Sequence, residues 1–173
     1  EDEEWKRWVN TTVQEELCAK AEALLAEEDL ERAANTLREL DARWKQAKEA
    51  PKDQAEALWT RFKAARDQVK SRTDAFFAKQ AEELAGNLRK KEALCERAEA
   101  LSASADWLKT AEELRKLQAE WKEIGPVPRT VSQRVWERFR KPCDHFFTRW
   151  QEHRDQRTHE WADNLAKKEA LCE

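Results

Sequence analysis

The chain repeats itself at a constant offset of 77 residues, and the copies align without a gap. A Leu-Cys pair recurs at residues 17–18, 94–95 and 171–172, and the heptapeptide KKEALCE occurs verbatim at residues 90–96 and 167–173. Such a tandem repeat restricts the fold strongly, because every copy must form the same supersecondary unit. We predict a first repeat at residues 1–86, a second at residues 87–163, and the start of a third at residues 164–173.

The repeat is predicted to be entirely helical. Charged residues make up 40% of the chain, which has only two glycines and four prolines, so helix breakers are scarce. Apolar residues at heptad positions a and d mark one helix in each copy. In the first copy they are Leu30, Ala33, Leu37, Leu40, Trp44 and Ala47, and the corresponding positions of the second copy hold Trp107, Thr110, Leu114, Leu117, Trp121 and Ile124. The nine tryptophans are expected to lie in the helix-helix seams.

Each copy divides into three helical stretches. In the first copy they cover about residues 4–26, 30–48, and from 54 onward. The connections between them are short, so neighbouring helices should run antiparallel. No strong breaker separates the third stretch from the first stretch of the next copy. The expected fold class is therefore all-α, with tandem three-helix repeats of a spectrin-like, coiled-coil type whose third helix continues into the first helix of the next repeat.

Helix boundaries can be assigned from local signals. Asp29 and the Ser104/Asp106 pair stand where the two heptad helices should begin. Capping boxes are predicted at the start of the third stretches, formed by Asp53 with Glu56 and by Thr130 with Gln133.

Two further signals concern the end of a helix and its interior. Gly125 is predicted to end the second heptad helix in a left-handed conformation, followed by Pro126 and Pro128. Pro142 is predicted to kink the last helix near Arg138, because proline removes one backbone hydrogen bond.

The predicted core draws on the large apolar residues of both copies. Its members are Leu37, Leu40, Trp44, Trp59, Phe62, Leu114, Leu117, Trp121, Trp136, Phe139 and Phe146.

One segment carries a family resemblance. The series LQAEWKEIGPVPR, followed by VWERFRKPCDHFF, spans residues 117–129 and 135–147. It resembles the bacterial domain-of-unknown-function family 349, which occurs singly or in tandem arrays. The first copy matches more loosely, since Lys48 stands where the second copy has Gly125. The resemblance implies a cytoplasmic bacterial protein built from helical repeats, with no established catalytic residues to assign.

No constellation in the sequence indicates a catalytic, metal or cofactor site. Three of the four cysteines occupy one phase of the repeat, which favours buried structural thiols over disulfides. His145, His153 and His159 are not spaced like metal ligands on a helix. The two isolated glycines cannot form a phosphate-binding loop. We therefore expect a protein that is not an enzyme and uses no cofactor.

A basic stripe is the strongest functional signal. The cations are spaced by three or four residues on one helical face, within a region, residues 129–157, that has eight basic and four acidic side chains. The candidate partner-binding residues are those of the loop and the stripe: Gly125, Pro126, Val127, Pro128, Arg129, Arg134, Arg138, Lys141, His145 and Arg149. The stripe is not a property of the repeat, because the first copy has Ala57, Ala64 and Gln68 at three of its positions.

Two functional hypotheses remain open at this point. The leading one is a non-enzymatic scaffold or interaction protein that presents the loop and charged faces to protein partners. The alternative is a module that binds RNA or a ribonucleoprotein such as the ribosome through the basic stripe. Self-association through the helical seams is a further expectation. The sequence contains no apolar run long enough to span a membrane, and we expect a segment of a longer protein located in the cytoplasm.

Overall fold

A computed structural model describes residues 1–172 and shows helices as the only regular secondary structure among them. The order is α1 (Asp2–Ala23), a 3₁₀ turn (Leu24–Ala26), α2 (Leu30–Gln46), α3 (Lys52–Leu101), α4 (Trp107–Glu123) and α5 (Arg129–Cys172). The all-α repeat fold is thereby confirmed, including the uninterrupted α3 that closes one repeat and opens the next. No helix within the described range is both long and apolar enough to cross a lipid bilayer.

The chain divides into two compact units. Unit 1 comprises Glu1–Gln80, and unit 2 comprises the described residues from Ala81 onward. Each unit has a hydrophobic core built from three helical segments. The core of unit 1 contains Leu17, Leu37 and Phe62, from α1, α2 and α3. The core of unit 2 contains Leu94, Leu114 and Phe139, from α3, α4 and α5.

The tryptophans correct one expectation about the core. Trp121 is buried, whereas Trp59 and Trp136 are 41% and 42% exposed. Both were predicted as core residues, and they instead lie at the border of their cores. Each follows a buried residue, Leu58 or Val135, which takes the inward position at this turn of the helix. Burial of all nine tryptophans is also wrong, since Trp5, Trp8 and Trp161 are exposed as well.

The starts of α3 and α5 correct the predicted capping boxes. The N–H groups of Gln54 and Ala55 both donate to the carbonyl of Pro51. Those of Val131 and Ser132 both donate to the carbonyl of Pro128. Each proline is therefore at the N-cap position, two residues before Asp53 or Thr130, which puts these side chains inside the first turn. By contrast, Asp29 caps α2 as predicted, because its Oδ1 accepts a hydrogen bond from the Arg32 N–H at 3.1 Å.

Pro142 lies inside α5, and its side chain is buried. The helix is continuous on both sides of it. A kink at this position stays a prediction.

Candidate partner-binding site

The loop between α4 and α5 is held by Asn87 of α3. The Asn87 Nδ2 donates a hydrogen bond of 2.8 Å to the carbonyl of Pro126. A Cβ on Gly125 would lie 2.8 Å from this same nitrogen. The predicted left-handed conformation of Gly125 is wrong, because no glycine of the described chain has a positive φ. A residue with a Cβ at this position would have to displace the Asn87 amide, which approaches the backbone closely.

Only part of the loop faces solvent. Val127 is 8% exposed and belongs to the core of unit 2, so it is not available to a partner. Pro126 and Arg129 are exposed. Unit 1 uses the same arrangement, since Asn10 donates to the carbonyl of Glu49 at 3.4 Å. The inner part of the loop therefore serves the packing of the unit.

Two cations of the basic stripe are engaged inside unit 2. Arg138 forms a bidentate pair with Glu99, with Nε–Oε1 and Nη2–Oε2 distances of 2.7 and 3.4 Å. This hydrogen bonding raises the pKa of the Arg138 guanidinium further above its usual value. Arg149 donates through Nη1 to the carbonyls of Ser102 and Ser104, at 2.9 and 3.2 Å. Both arginines thus tie α5 to the end of α3 and to the turn that follows it.

Unit 1 makes the same two connections. Arg61 pairs with Glu22 at 2.6 and 2.9 Å, and Arg72 donates to the carbonyl of Leu25 at 2.6 Å. Arg61 and Arg72 stand 77 residues before Arg138 and Arg149. Arginines that recur in both copies therefore have a structural role. The recurrence of the contact explains why these two stripe positions, and not the others, are basic in unit 1.

Three members of the stripe remain specific to unit 2, namely Arg134, Lys141 and His145. All three are exposed, and unit 1 has alanine or glutamine in their place. Within residues 1–172, neither Arg134 nor Lys141 has a carboxylate oxygen within 4.0 Å. Lys141 and His145 line an open groove of about 400 Å³ beside Glu99 and Pro142, at the side of α5 that faces α3.

A second surface feature lies on the other flank of α5, facing α4. The rings of Trp121 and Phe139 stack with their centroids 4.4 Å apart, and Trp136 leans against Trp121 at 5.7 Å. These three rings border a cavity of about 410 Å³, which we call the aromatic cavity. Its complete lining is Gln118, Trp121, Lys122, Trp136, Phe139, Arg140, Cys143 and Asp144. The heptad pattern gave no sign of it, because a periodic pattern predicts which face is apolar but not whether that face is fully covered.

The cysteines have no features of a reactive site. Cys18, Cys95 and Cys143 are buried, and the thiols of Cys18 and Cys95 donate to the carbonyls of Leu58 and Val135. Burial raises the pKa of Cys18 and raises that of Cys95 and of Cys143 to about 11. The prediction of buried thiols is confirmed for these residues. It is wrong for Cys172, which is exposed because its segment of α5 has nothing packed on it within the described range.

The histidines lie apart from one another. His153 stacks on Trp107 at a centroid distance of 4.9 Å, and His159 lies 3.5 Å from Asp163. In residues 1–172, no three His, Cys, Asp or Glu side chains are grouped so as to hold a metal ion.

Comparison with known proteins adds a family. No curated protein and no solved structure shows significant similarity to the chain. The family model described as Domain of Unknown Function (DUF349) matches residues 1–53, 57–130 and 134–173, which is nearly the whole sequence. Three consecutive matches agree with a repeated unit. The chain therefore belongs to the DUF349 family and carries its domain in tandem.

Proposed function

We propose that this chain is a non-enzymatic helical-repeat protein that binds protein partners through the surface of unit 2. The observation that carries this proposal is that polar residues shared by both copies and polar residues specific to unit 2 have different roles. Recurrent polar side chains, such as Arg138, Arg149 and Asn87, form contacts inside the unit. Arg134 and Lys141, which are specific to unit 2, are exposed. Helical repeats commonly combine a shared packing framework with a variable surface in this way.

The buried thiols support a role without catalysis. A cysteine acts as a nucleophile through its thiolate, and reactive cysteines have a lowered pKa. The pKa values of Cys95 and Cys143 are raised to about 11 instead, because burial disfavours the charged form. At neutral pH these thiols stay protonated and inert.

A protein partner in the bacterial cytoplasm fits these features better than a nucleic acid. Two of the five stripe residues, Arg138 and Arg149, are already satisfied by Glu99 and by backbone carbonyls. The aromatic rings of the cavity lie on the opposite flank of α5 from the remaining cations, so rings and cations do not alternate along one surface. Proteins that bind single-stranded nucleic acid combine a basic groove with stacking aromatic residues in the same groove.

The test grafts the surface of unit 1 onto unit 2. The chain and the triple variant Arg134→Ala, Lys141→Ala, His145→Gln are used for affinity capture from a bacterial cytoplasm, with capture verified by direct titration of the purified partner. Weaker capture of a protein by the variant, at an unchanged melting temperature, supports the proposal. Sedimentation of the purified chain tests self-association in the same preparation. Equal capture by both forms would remove the stripe from the binding surface.

Binding of RNA is the second candidate, and the unpaired Arg134 and Lys141 favour it. Titration of the chain with single-stranded RNA over a salt series tests this function. If RNA is the partner, affinity should fall steeply with salt, with a smaller slope for the triple variant. The absence of binding at low salt would exclude it.

A further inference from the structure

The lining of the aromatic cavity differs from the corresponding place in unit 1 at two facing positions. The core of unit 2 has an apolar counterpart in unit 1 for each of its buried residues except Cys143, whose counterpart is Arg66. Gln118 of α4 lines the cavity together with Cys143 of α5. Its counterpart in unit 1 is Asp41.

Unit 1 bridges the corresponding place with an ion pair. The Arg66 Nε lies 3.0 Å from the Asp41 Oδ1, although its N–H is not aligned for a hydrogen bond. Both side chains are about 30% exposed, so the pair lies across the surface between α2 and α3. Gln118 and Cys143 are both uncharged and form no such ion pair, and the cavity of unit 2 remains open.

The three rings around the cavity are arranged in the same way in both units. Trp44 and Phe62 stack at 4.3 Å in unit 1, and Trp121 and Phe139 stack at 4.4 Å in unit 2. The units therefore differ in the cover over the rings and not in the rings themselves. A volume of about 410 Å³ lies within the roughly 300–1,000 Å³ that is usual for ligand pockets.

The rim of the cavity is positively charged. Two cations, Lys122 and Arg140, and one carboxylate, Asp144, line it, which leaves a net charge of one positive. The carboxylate of Asp144 is engaged by Arg140 at 3.0 Å. An apolar interior with a basic rim is complementary to an apolar side chain that has carboxylates on either side of it.

We propose that the aromatic cavity binds a phenylalanine or tryptophan side chain from an acidic segment of a partner protein. The inference rests on the proposed protein-binding function and adds the chemistry that the partner must have. Large aromatic side chains are common anchors of protein interfaces because one ring buries much apolar area in one pocket. Trp136 at the edge of the cavity then covers the bound ring, and Lys122 meets its acidic neighbours.

The test uses three synthetic pentapeptides, each with a central residue between two pairs of identical residues. The first has phenylalanine between glutamates, the second alanine between glutamates, and the third phenylalanine between lysines. Binding is followed by the indole N–H signals of the ¹⁵N-labelled chain, with the Trp136 signal assigned by Trp136→Phe. We expect the first peptide alone to shift the Trp121 and Trp136 signals saturably.

Two variants remove the site in different ways. The double variant Gln118→Asp, Cys143→Arg places the ion pair of unit 1 over the cavity. Trp136→Ala removes a partly exposed wall and leaves the buried residues of the core unchanged. Each variant should lower the affinity for the first peptide by at least about tenfold. The matched control, Asp41→Gln with Arg66→Cys in unit 1, should keep the affinity of unit 2. Melting temperatures establish that each variant is folded. If the double variant is unfolded, the binding of the peptide to Trp136→Ala tests the site instead.

The outcomes separate this inference from the proposed function. Shifts by the lysine or alanine peptides, shifts confined to other tryptophans, or unchanged binding in Trp136→Ala would overturn the inference. Displacement of the Trp136 signal by oligouridylate at equal or higher affinity would also overturn it, in favour of base stacking. If captured proteins bind the double variant as well as the parent chain, the proposed function stands and the cavity is excluded. If the peptide binds but the chain captures no protein, the cavity is a binding site and the proposed function is wrong.

Discussion

Neighbouring aromatic residues in unit 2 have very different roles. Trp121 is 9% exposed and stacks on Phe139, whereas Trp136 is 42% exposed and only leans on Trp121. The same pair of roles occurs in unit 1, where Trp44 packs against the core and Trp59 is exposed. A periodic apolar pattern treats all four as equal because it reports direction around a helix and not depth.

Replacement of Trp121 by alanine should lower the free energy of unfolding by about 3–5 kcal/mol, because a buried ring leaves a cavity that the core cannot refill. Trp136→Ala should cost less than about half as much, since much of that ring is already in water. Urea unfolding followed by circular dichroism measures both. Equal losses would show that the two rings are equally important for packing.

The two glycines should respond oppositely to alanine. Gly125→Ala places a Cβ 2.8 Å from the Asn87 Nδ2 and displaces its hydrogen bond to Pro126, at a cost of about 0.5–1.5 kcal/mol. Gly86 lies within α3, where the nearest atom to a new Cβ is 3.8 Å away, so Gly86→Ala should stabilise by about 0.5–1 kcal/mol. Thermal unfolding of both variants checks the signs. A stabilising Gly125→Ala would contradict the close approach of Asn87.

At the scale of elements, helix starts depend on which residue takes the first position. Asp29 is the N-cap residue of α2, and its side chain accepts a hydrogen bond there. The starts of α3 and α5 are set by Pro51 and Pro128, whose carbonyls accept the first backbone bonds. Proline suits this place because its fixed φ is compatible with a helix and a missing N–H there loses no hydrogen bond. The polar residues behind each proline are then helical and no longer cap.

The two aspartates should therefore differ when each is changed to alanine. Asp29→Ala removes a capping hydrogen bond and should destabilise unit 1 by about 1 kcal/mol, within a usual range of about 0.5–2. Asp53→Ala removes only a charge near the helix start, worth about 0.3–1 kcal/mol and reduced by salt. Unfolding in about 0.5 M salt separates the two effects, because salt at this concentration screens exposed charges. A larger loss for Asp53→Ala there would restore the capping box.

At the scale of the whole molecule, each unit has its own core, and buried thiols report on both. Cys18 lies in the core of unit 1, and Cys95 and Cys143 lie in that of unit 2. Cys172 is exposed. The thiols thus provide an independent measure of whether each unit is closed.

Native thiol titration with a disulfide reagent should detect one fast-reacting cysteine, Cys172, and denaturant should release all four. The Cys172→Ser variant should lose the fast reaction. Fast reaction of a second thiol in the native protein would contradict the burial of Cys18, Cys95 or Cys143.

The buried thiols also predict a dependence of stability on pH. The pKa of Cys95 and of Cys143 is about 11 in the folded state, above the value of about 8.5 for an unfolded thiol. A raised folded pKa means that this contribution is complete below about pH 8.5 and is lost as pH rises toward 11. Each thiol should contribute a slope of up to about 1.4 kcal/mol per pH unit there. Urea unfolding between pH 8 and 10.5, compared with Cys95→Ala, measures it, and the chain has no tyrosine to titrate in that range. An unchanged slope in Cys95→Ala would show that Cys95 is not the group responsible.

Much of the fold was accessible from sequence because its signals are local or periodic. Heptad spacing predicted α2 and α4 to within two residues at either end, apart from the start of α4, which was assigned only to the region of Ser104 and Asp106. The lack of a breaker near Gly86 predicted the continuous α3. The sequence identified the basic residues of the candidate site that are specific to the second copy, because the two copies can be compared position by position without a structure. It did not identify which of them were free.

Which basic residues are free depends on contacts between residues far apart in the chain. Glu99 and Arg138 are separated by 39 positions, and no periodicity links them. The aromatic cavity likewise depends on Gln118 and Cys143 meeting across two helices. By itself, therefore, the sequence determined the helical repeat, its period and its apolar faces, since these follow from residue spacing. Only the tertiary structure decided which charges are satisfied and which rings are uncovered, because both depend on what a neighbouring helix places opposite them.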